Sequence, residues 1–307
     1  GRVSVEHEVI PDGLLVAINN DGTLASEARV ELYYQDSLLG IEYPEFRHTA
    51  THLCLIPPRP EYRRVDRIGA SLSRDTAYSM VLSRPVQIAV VGLEQEEWID
   101  IDHRLSLGFD KDQFYTPRFV EIIRLPVHQR WREKLNSDKY LIMPEAFVCR
   151  EDYLVRMTFP GINQTDSLSG ICWYDEKKEE WVWLDNVWNS ERRAFTAKSK
   201  GGGLFGAIHD FDPPRIRPLT IHSGFSTGDP MRELRFVVDD TLSGIADDRN
   251  FEITLDGEWL IPEYDYESHV LRTWPNSPMS KGTHRLTIVA TDRAGNRTEQ
   301  TYEFSVK

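Results

Sequence analysis

Four aspartates, Asp239, Asp240, Asp247 and Asp248, flank the Ser243-Gly244 turn near the end of the chain. Carboxylates on neighbouring loops offer the hard oxygen donors that calcium takes, although this spacing is not that of a helix–loop–helix calcium loop. Aspartate also starts turns and ends strands by bonding nearby backbone, and the local sequence favours that reading. Trp173, Trp181 and Trp183 form a second group, with Trp188 close behind. An exposed row of such rings would stack on sugars as a carbohydrate platform. In Trp181-Val182-Trp183 both rings share one face of a strand, and large aromatics commonly fill sandwich interiors, so the core reading is preferred.

The remaining reactive residues point away from catalysis. His48 and His52 have the spacing of two ligands on one helical face, but Thr49 stands where a metalloprotease needs Glu. Threonine-rich sequence favours a strand, where positions four apart lie ~13 Å from each other. No metal is assigned to them. Gly201-Gly202-Gly203 lacks the Lys-Ser/Thr pair of a phosphate loop. Acidic residues are plentiful, yet no local motif pairs them as glycosidase carboxylates. A serine nucleophile elbow, Gly-x-Ser-x-Gly, is read as absent, no catalytic residue or cofactor is assigned, and the expectation is a protein that is not an enzyme. Cys54, Cys149 and Cys172 are odd in number and lack metal-ligand spacing. Cys149–Cys172 is the better pair for a bridge in an oxidising compartment; three buried small hydrophobes is the plainer reading.

The elements that must position these residues are strands. Strand-like runs recur at short intervals between Gly, Pro, Asn and Asp, the pattern of sandwiches and barrels. Leu14–Ile18 is a continuous apolar run, Arg29–Tyr34 alternates with period two, and His52–Ile56 stops at Pro57-Pro58. Pro85–Val91 reads as the closing strand of the first segment. Phe119–Arg124, Tyr153–Phe159 and Gly170–Tyr174 follow, with a hairpin whose polar tip is Asp175–Glu180. The best helical stretch, Val127–Leu135, is short and highly charged. Asp210-Phe-Asp-Pro-Pro214 is the clearest boundary, because two prolines cannot donate to a ladder and stiffen the connector. The fold class expected is all-β, in tandem immunoglobulin-like or sandwich domains covering 1–99, 100–212 and 213–307.

Composition narrows the partners. The net charge is −13, with 40% hydrophobic and 28% charged residues. Ordinary cores can form, and an acidic surface repels a phosphate backbone, so nucleic acid is not expected. The basic clusters at Arg59–Arg67 and Arg130–Lys134 are interrupted by acids and read as solvated faces. No apolar run has the ~20 residues of a membrane-spanning helix. Gly1 is no initiator methionine, so a mature or cut fragment is expected.

The last two segments also resemble a known family. Trp173-Tyr174-Asp175 with Trp181-Val182-Trp183, a Gly-rich strand, Asp212-Pro-Pro-Arg-Ile216, Asp239-Asp-Thr-Leu-Ser-Gly-Ile245, Leu255-Asp-Gly257 and Thr291-Asp-Arg-Ala-Gly-Asn296 occur in that order. This resembles the non-catalytic C-terminal region that follows a lysostaphin-type zinc endopeptidase domain in bacterial cell-envelope proteins. The resemblance covers Leu105 to Lys307, and more loosely the first segment. That peptidase's zinc motifs, His-x-x-x-Asp and His-x-His, fit none of the nine histidines. The resemblance therefore implies an exported accessory module, periplasmic or at the cell surface. It would scaffold, space or dock a protein partner or another domain of its own polypeptide; a carbohydrate-binding module for peptidoglycan or exopolysaccharide is the alternative.

Overall fold

The computed structural model describes residues 3–20, 27–48, 50–74, 77–93, 97–111, 113–126, 138–146, 149–158 and 168–307. The charged stretch at 127–135 and the second basic cluster lie outside them. Among the described residues every extended element is a strand, and no α-helix occurs. The chain folds as two compact units, Gly1–Gly161 with Asp185–Ala207, and Ile162–Leu184 with Ile208–Lys307. The sequence reading places three segments; the first and most of the second fall in one unit.

The first unit begins with β1 (Val3–Ile10), β2 (Gly13–Asn20), β3 (Glu27–Tyr34), β4 (Ser37–Glu42), β5 (Phe46–Arg47) and β6 (Thr51–Ile56). It continues with β7 (Arg64–Arg74), β8 (Ala77–Val91), β9 (Glu97–Ile101), β10 (Leu105–Phe109), β11 (Arg118–Leu125), β12 (Lys139–Met143) and β13 (Tyr153–Thr158). One sheet has the order β1-β2-β6-β5. Its inner face carries Leu14, Val16, Ile18, Cys54 and Ile56, which share a core with Val30, Leu32, Ile68, Ala70, Ile88 and Val90 of a second sheet. Each fully buried aliphatic side chain of this kind contributes about 1.5–3 kcal/mol.

Within the first unit that second sheet, of nine strands in all, runs β4-β3-β7-β8-β11-β12. Pro85–Val91 does not close the first segment. Its strand starts at Ala77 and is paired on both sides, to β7 and to β11 through Val91↔Arg118 and Ile88↔Glu121. The sheet therefore continues from one expected segment into the next. Pro85 has no N–H to give a ladder, and the β7–β8 register shifts between Val65 and Arg67, where Arg67 stands opposite it.

A third sheet joins β16 (Val187–Asn189) and β17 (Ala194–Ser199) to β13, β10 and β9. Tyr153 stacks on Phe109 with ring centroids 5.0 Å apart and donates its hydroxyl to the Gly201 carbonyl at 2.9 Å.

In the second unit β14 (Ser169–Asp175) and β15 (Glu180–Trp183) form the expected hairpin, with Asp175 accepting the Lys177 N–H at its tip. β18 (Gly203–His209), which begins in the first unit and ends in the second, leads to the Pro213-Pro214 connector. An immunoglobulin-like sandwich follows. It contains β19 (Arg215–Pro218), β20 (Ser226–Thr227), β21 (Leu234–Asp239), β22 (Phe251–Leu255), β23 (Glu258–Leu260), β24 (Glu263–Asp265), β25 (Val270–Thr273), β26 (Gly282–Thr291) and β27 (Arg297–Val306). The sheets are β19-β21-β25-β24 and β20-β27-β26-β22-β23, antiparallel except for the short β20–β27 pair. Alternate residues of β21, β22, β26 and β27, among them Phe236, Ile253, Ile288 and Phe304, fill the core between them. Asp256 and Gly257 both have positive φ, the conformation a tight two-residue hairpin demands, so Leu255-Asp-Gly257 turns the chain as its sequence predicts.

Candidate functional site

The four loop aspartates do not gather. Asp239 pairs with Arg217 at 2.9 Å. Asp247 caps a short 3₁₀ turn and binds Arg249, which holds its carboxyl below the usual range. Asp248 accepts the Tyr264 N–H at 2.6 Å. Asp240 alone joins a carboxylate cluster, and its partners are Asp210 and Asp292. One oxygen of each lies within 4.8 Å of the others. Asp210 and Asp292 are only 2% and 3% exposed, so this is an interior group and not a solvated rim.

Backbone donors build the cluster. Asp240 Oδ2 accepts the Leu242 and Gly244 N–H groups at 3.1 and 2.7 Å, while its Oδ1 is buried with no hydrogen-bond partner. Asp210 accepts from Ser243 N and Asp212 N, both at 3.1 Å. Asp292 accepts from Gly295 N and Asn296 N at 2.7 and 2.8 Å, and the Asn296 amide reaches both Asp292 Oδ2 and the Asp210 carbonyl. Asp-x-x-Gly-Asn and Asp-Thr-Leu-Ser-Gly are thus two halves of one knot tied to the connector. Burial raises the Asp210 and Asp292 carboxyls, and neighbouring carboxylates push them further the same way. Such an oxygen-only set can share a proton or meet a hard divalent cation; one oxygen from each carboxylate supplies three donors, fewer than the six to eight that calcium fills.

The three tryptophans are not on one face. Trp183, 7% exposed, stands opposite Cys172 inside the hairpin, and Trp181 lies beside Tyr174 at 5.2 Å. Trp173 pairs with Val182 on the other face, half-buried. His52 is buried within β6, whereas His48 is exposed before the strand. The cysteines are unbridged, and burial pushes the Cys54 thiol up to about 12 and the Cys149 thiol to about 11. Both stay protonated at neutral pH and are poor nucleophiles.

The Gly-x-Ser-x-Gly pattern expected to be absent does occur in the chain. Gly224-Phe225-Ser226-Thr227-Gly228 carries the letters of a serine nucleophile elbow. That motif requires a strand-to-helix turn beside a histidine. Here Ser226 sits in two-residue β20, with the Ser305 hydroxyl donating to it at 3.0 Å. The letters occur without the geometry.

The clearest anomaly is a surface. Cross-strand pairs of the β1-β2-β6-β5 sheet place Glu8, Leu15 and Leu55 in one outward row, and Glu6, Ala17, Leu53 and Phe46 in the next. Phe46 is 55% exposed and Leu55 38%. The solvent face of an antiparallel sheet is ordinarily polar, and in these two rows it is apolar across β2 and β6, and on β5 at Phe46.

No family model matches the chain, and no curated protein matches it. Among solved structures, the N-terminal eight Ig domains of Down Syndrome Cell Adhesion Molecule align at 11% identity and TM-score 0.24, covering 99% of this chain and 34% of that one. A structure concerning a 1.5-MDa bacterial ice-binding adhesin aligns at 10% and 0.20, covering 100% and 99%. Sidekick-1 immunoglobulin domains 1–4 align at 9% and 0.19, covering 99% of each. The fold assignment rests on the strand pairing above and not on these likenesses.

Proposed function

We propose that the chain is a non-catalytic docking module, exported and displayed at a bacterial cell envelope, that holds a protein partner. The observation carrying this reading is the outward apolar face of Leu15, Leu53, Leu55 and Phe46. A contiguous apolar patch left open on a sheet marks an interaction surface more often than chance exposure of single side chains. Glu6 and Glu8 border it and make no ion pair among the described residues, which leaves charge at the rim and apolar area at the centre, the usual anatomy of an interface.

The test is cross-linking of the purified chain in bacterial envelope extracts, against the Phe46→Glu, Leu55→Glu double variant. Both side chains point outward, so the variant keeps its core and its melting temperature. The proposal expects a defined protein adduct that the variant loses. Equal adducts from both proteins, or hydrolysis of envelope material by the purified chain, would overturn it.

A further inference from the structure

We infer that a second surface, on the immunoglobulin-like unit, takes a Lys/Arg-rich protein segment. Strands β23 and β24 are each the last strand of their sheet and are joined by only Ile261 and Pro262, so the two lie together on one side of the sandwich. Large apolar side chains crowd there. Trp259 is 55% exposed, Ile261 61%, Tyr266 67% and Trp274 38%. Thr273 Oγ1 donates to the Ile261 carbonyl at 2.8 Å, and Asn276 Nδ2 to the Trp259 carbonyl at 2.9 Å. Those bonds draw the Trp274 segment against β23, so Trp259, Ile261 and Trp274 form one patch.

Charge names the occupant. Glu258, Glu263, Asp265 and Glu267 are all exposed along the same edge. Between Glu258 and Thr273 the sole Lys or Arg is Arg272, which stands opposite Glu263 and lies 4.0 Å from Glu233. Asp265 is held ionised by the Ser268 hydroxyl and the Glu267 N–H. An exposed indole face attracts a guanidinium or ammonium, and adjacent carboxylates add direct pairing. A neutral or acidic segment would gain neither.

This inference stands apart from the face in the first unit, and its test is separate. A fluorescein-labelled peptide of alternating arginine and alanine is titrated with the full chain, beside glutamine–alanine and glutamate–alanine peptides. The basic peptide is expected to bind at least tenfold tighter than the neutral one, and to weaken as salt is raised. Because the whole chain is acidic, the deciding variant keeps its charge: Trp259→Ala with Trp274→Ala should weaken binding about tenfold, while Phe46→Glu with Leu55→Glu leaves it unchanged. Glu263→Gln with Asp265→Asn should weaken it similarly. Unchanged binding by the tryptophan variant would reduce the effect to general charge attraction and overturn the proposal. Displacement of the peptide by a neutral chito-oligosaccharide would also overturn it, in favour of a sugar platform. Thermal melts of each variant confirm that the sandwich is folded.

Discussion

The ring of His284 is clamped, with Nδ1 2.6 Å from the Asp256 carboxylate and Nε2 2.7 Å from the Ser280 carbonyl. A neutral imidazole has one N–H, so only the imidazolium satisfies both acceptors. Asp256 also accepts the Arg285 N–H at 2.8 Å, tying the β22–β23 turn to the start of β26. Burial alone would lower the His284 value, but the Ser280 carbonyl and Asp256 outweigh it and the net direction is upward. Burial would raise Asp256, and the Arg285 N–H with His284 outweigh that, so it falls. The histidine contribution is complete below its ordinary value near 6.5 and fades as pH rises through the folded value. The aspartate contribution is complete above its ordinary value near 3.9 and fades as pH falls through the folded one. In an NMR titration His284 should have its midpoint above the ordinary value, and Asp256→Asn should lower it. A midpoint at or below the ordinary value in the wild type would refute the clamp.

The buried carboxylates predict a stabilising charge removal. Asp210 and Asp292 are raised, so their contribution is present at low pH and is lost as pH rises through the folded values. At neutral pH the knot is under mutual repulsion. Asp240→Asn keeps an oxygen for the Leu242 and Gly244 N–H groups and puts an amide donor where Oδ1 finds no partner. In EDTA at pH 7 the variant should be more stable by about 1–2 kcal/mol and melt higher, with the gap closing at pH 4. A lower melting temperature at pH 7 would contradict this account.

Glu31 predicts the opposite sign. It is 3% exposed, and it accepts from Arg29 Nε and the Tyr33 hydroxyl at 2.7 Å and from the Ser71 hydroxyl at 2.9 Å. Burial would raise its carboxyl, but these donors and the Arg29 charge outweigh it and hold it low. Its contribution is present above the ordinary value near 4.3 and is lost as pH falls. Glu31→Gln should reduce stability by about 1–3 kcal/mol at pH 7, read from urea midpoints, and by less in acid. An equal loss at both pH values would mean that charge is not involved.

Gly108 is a packing prediction. A Cβ there would lie 2.7 Å from the Trp98 ring, which also carries the Arg156 guanidinium 3.9 Å from its centroid. Gly108→Ala should displace the indole, shift its emission, and destabilise by about 1–3 kcal/mol. Denaturant melts followed by fluorescence measure both effects, and an unshifted spectrum would show that the ring has room to spare.

Much of the secondary structure is legible in the sequence because its causes are local. Alternation in Arg29–Tyr34 and the glycine of Leu255-Asp-Gly257 each act within a few residues. Pro85–Val91 shows the limit: its apolar pattern marks a strand, but nothing local tells whether one neighbour or two will pair with it. The same holds for Leu15, which lies in a continuous apolar run and faces outward through register.

By itself, then, the sequence determined strands, turns, an acidic balance and the lack of long apolar helices. Tertiary structure alone decided which aspartates meet. Asp239 and Asp240 are neighbours in the chain, yet one pairs with Arg217 and the other joins Asp210 and Asp292. Adjacent residues of a strand end point to opposite faces. Asn296 bonds the Asp210 carbonyl across 86 positions. Contacts at that separation follow from how sheets pack and carry no periodic mark, so the knot could only be found once the sandwich was closed.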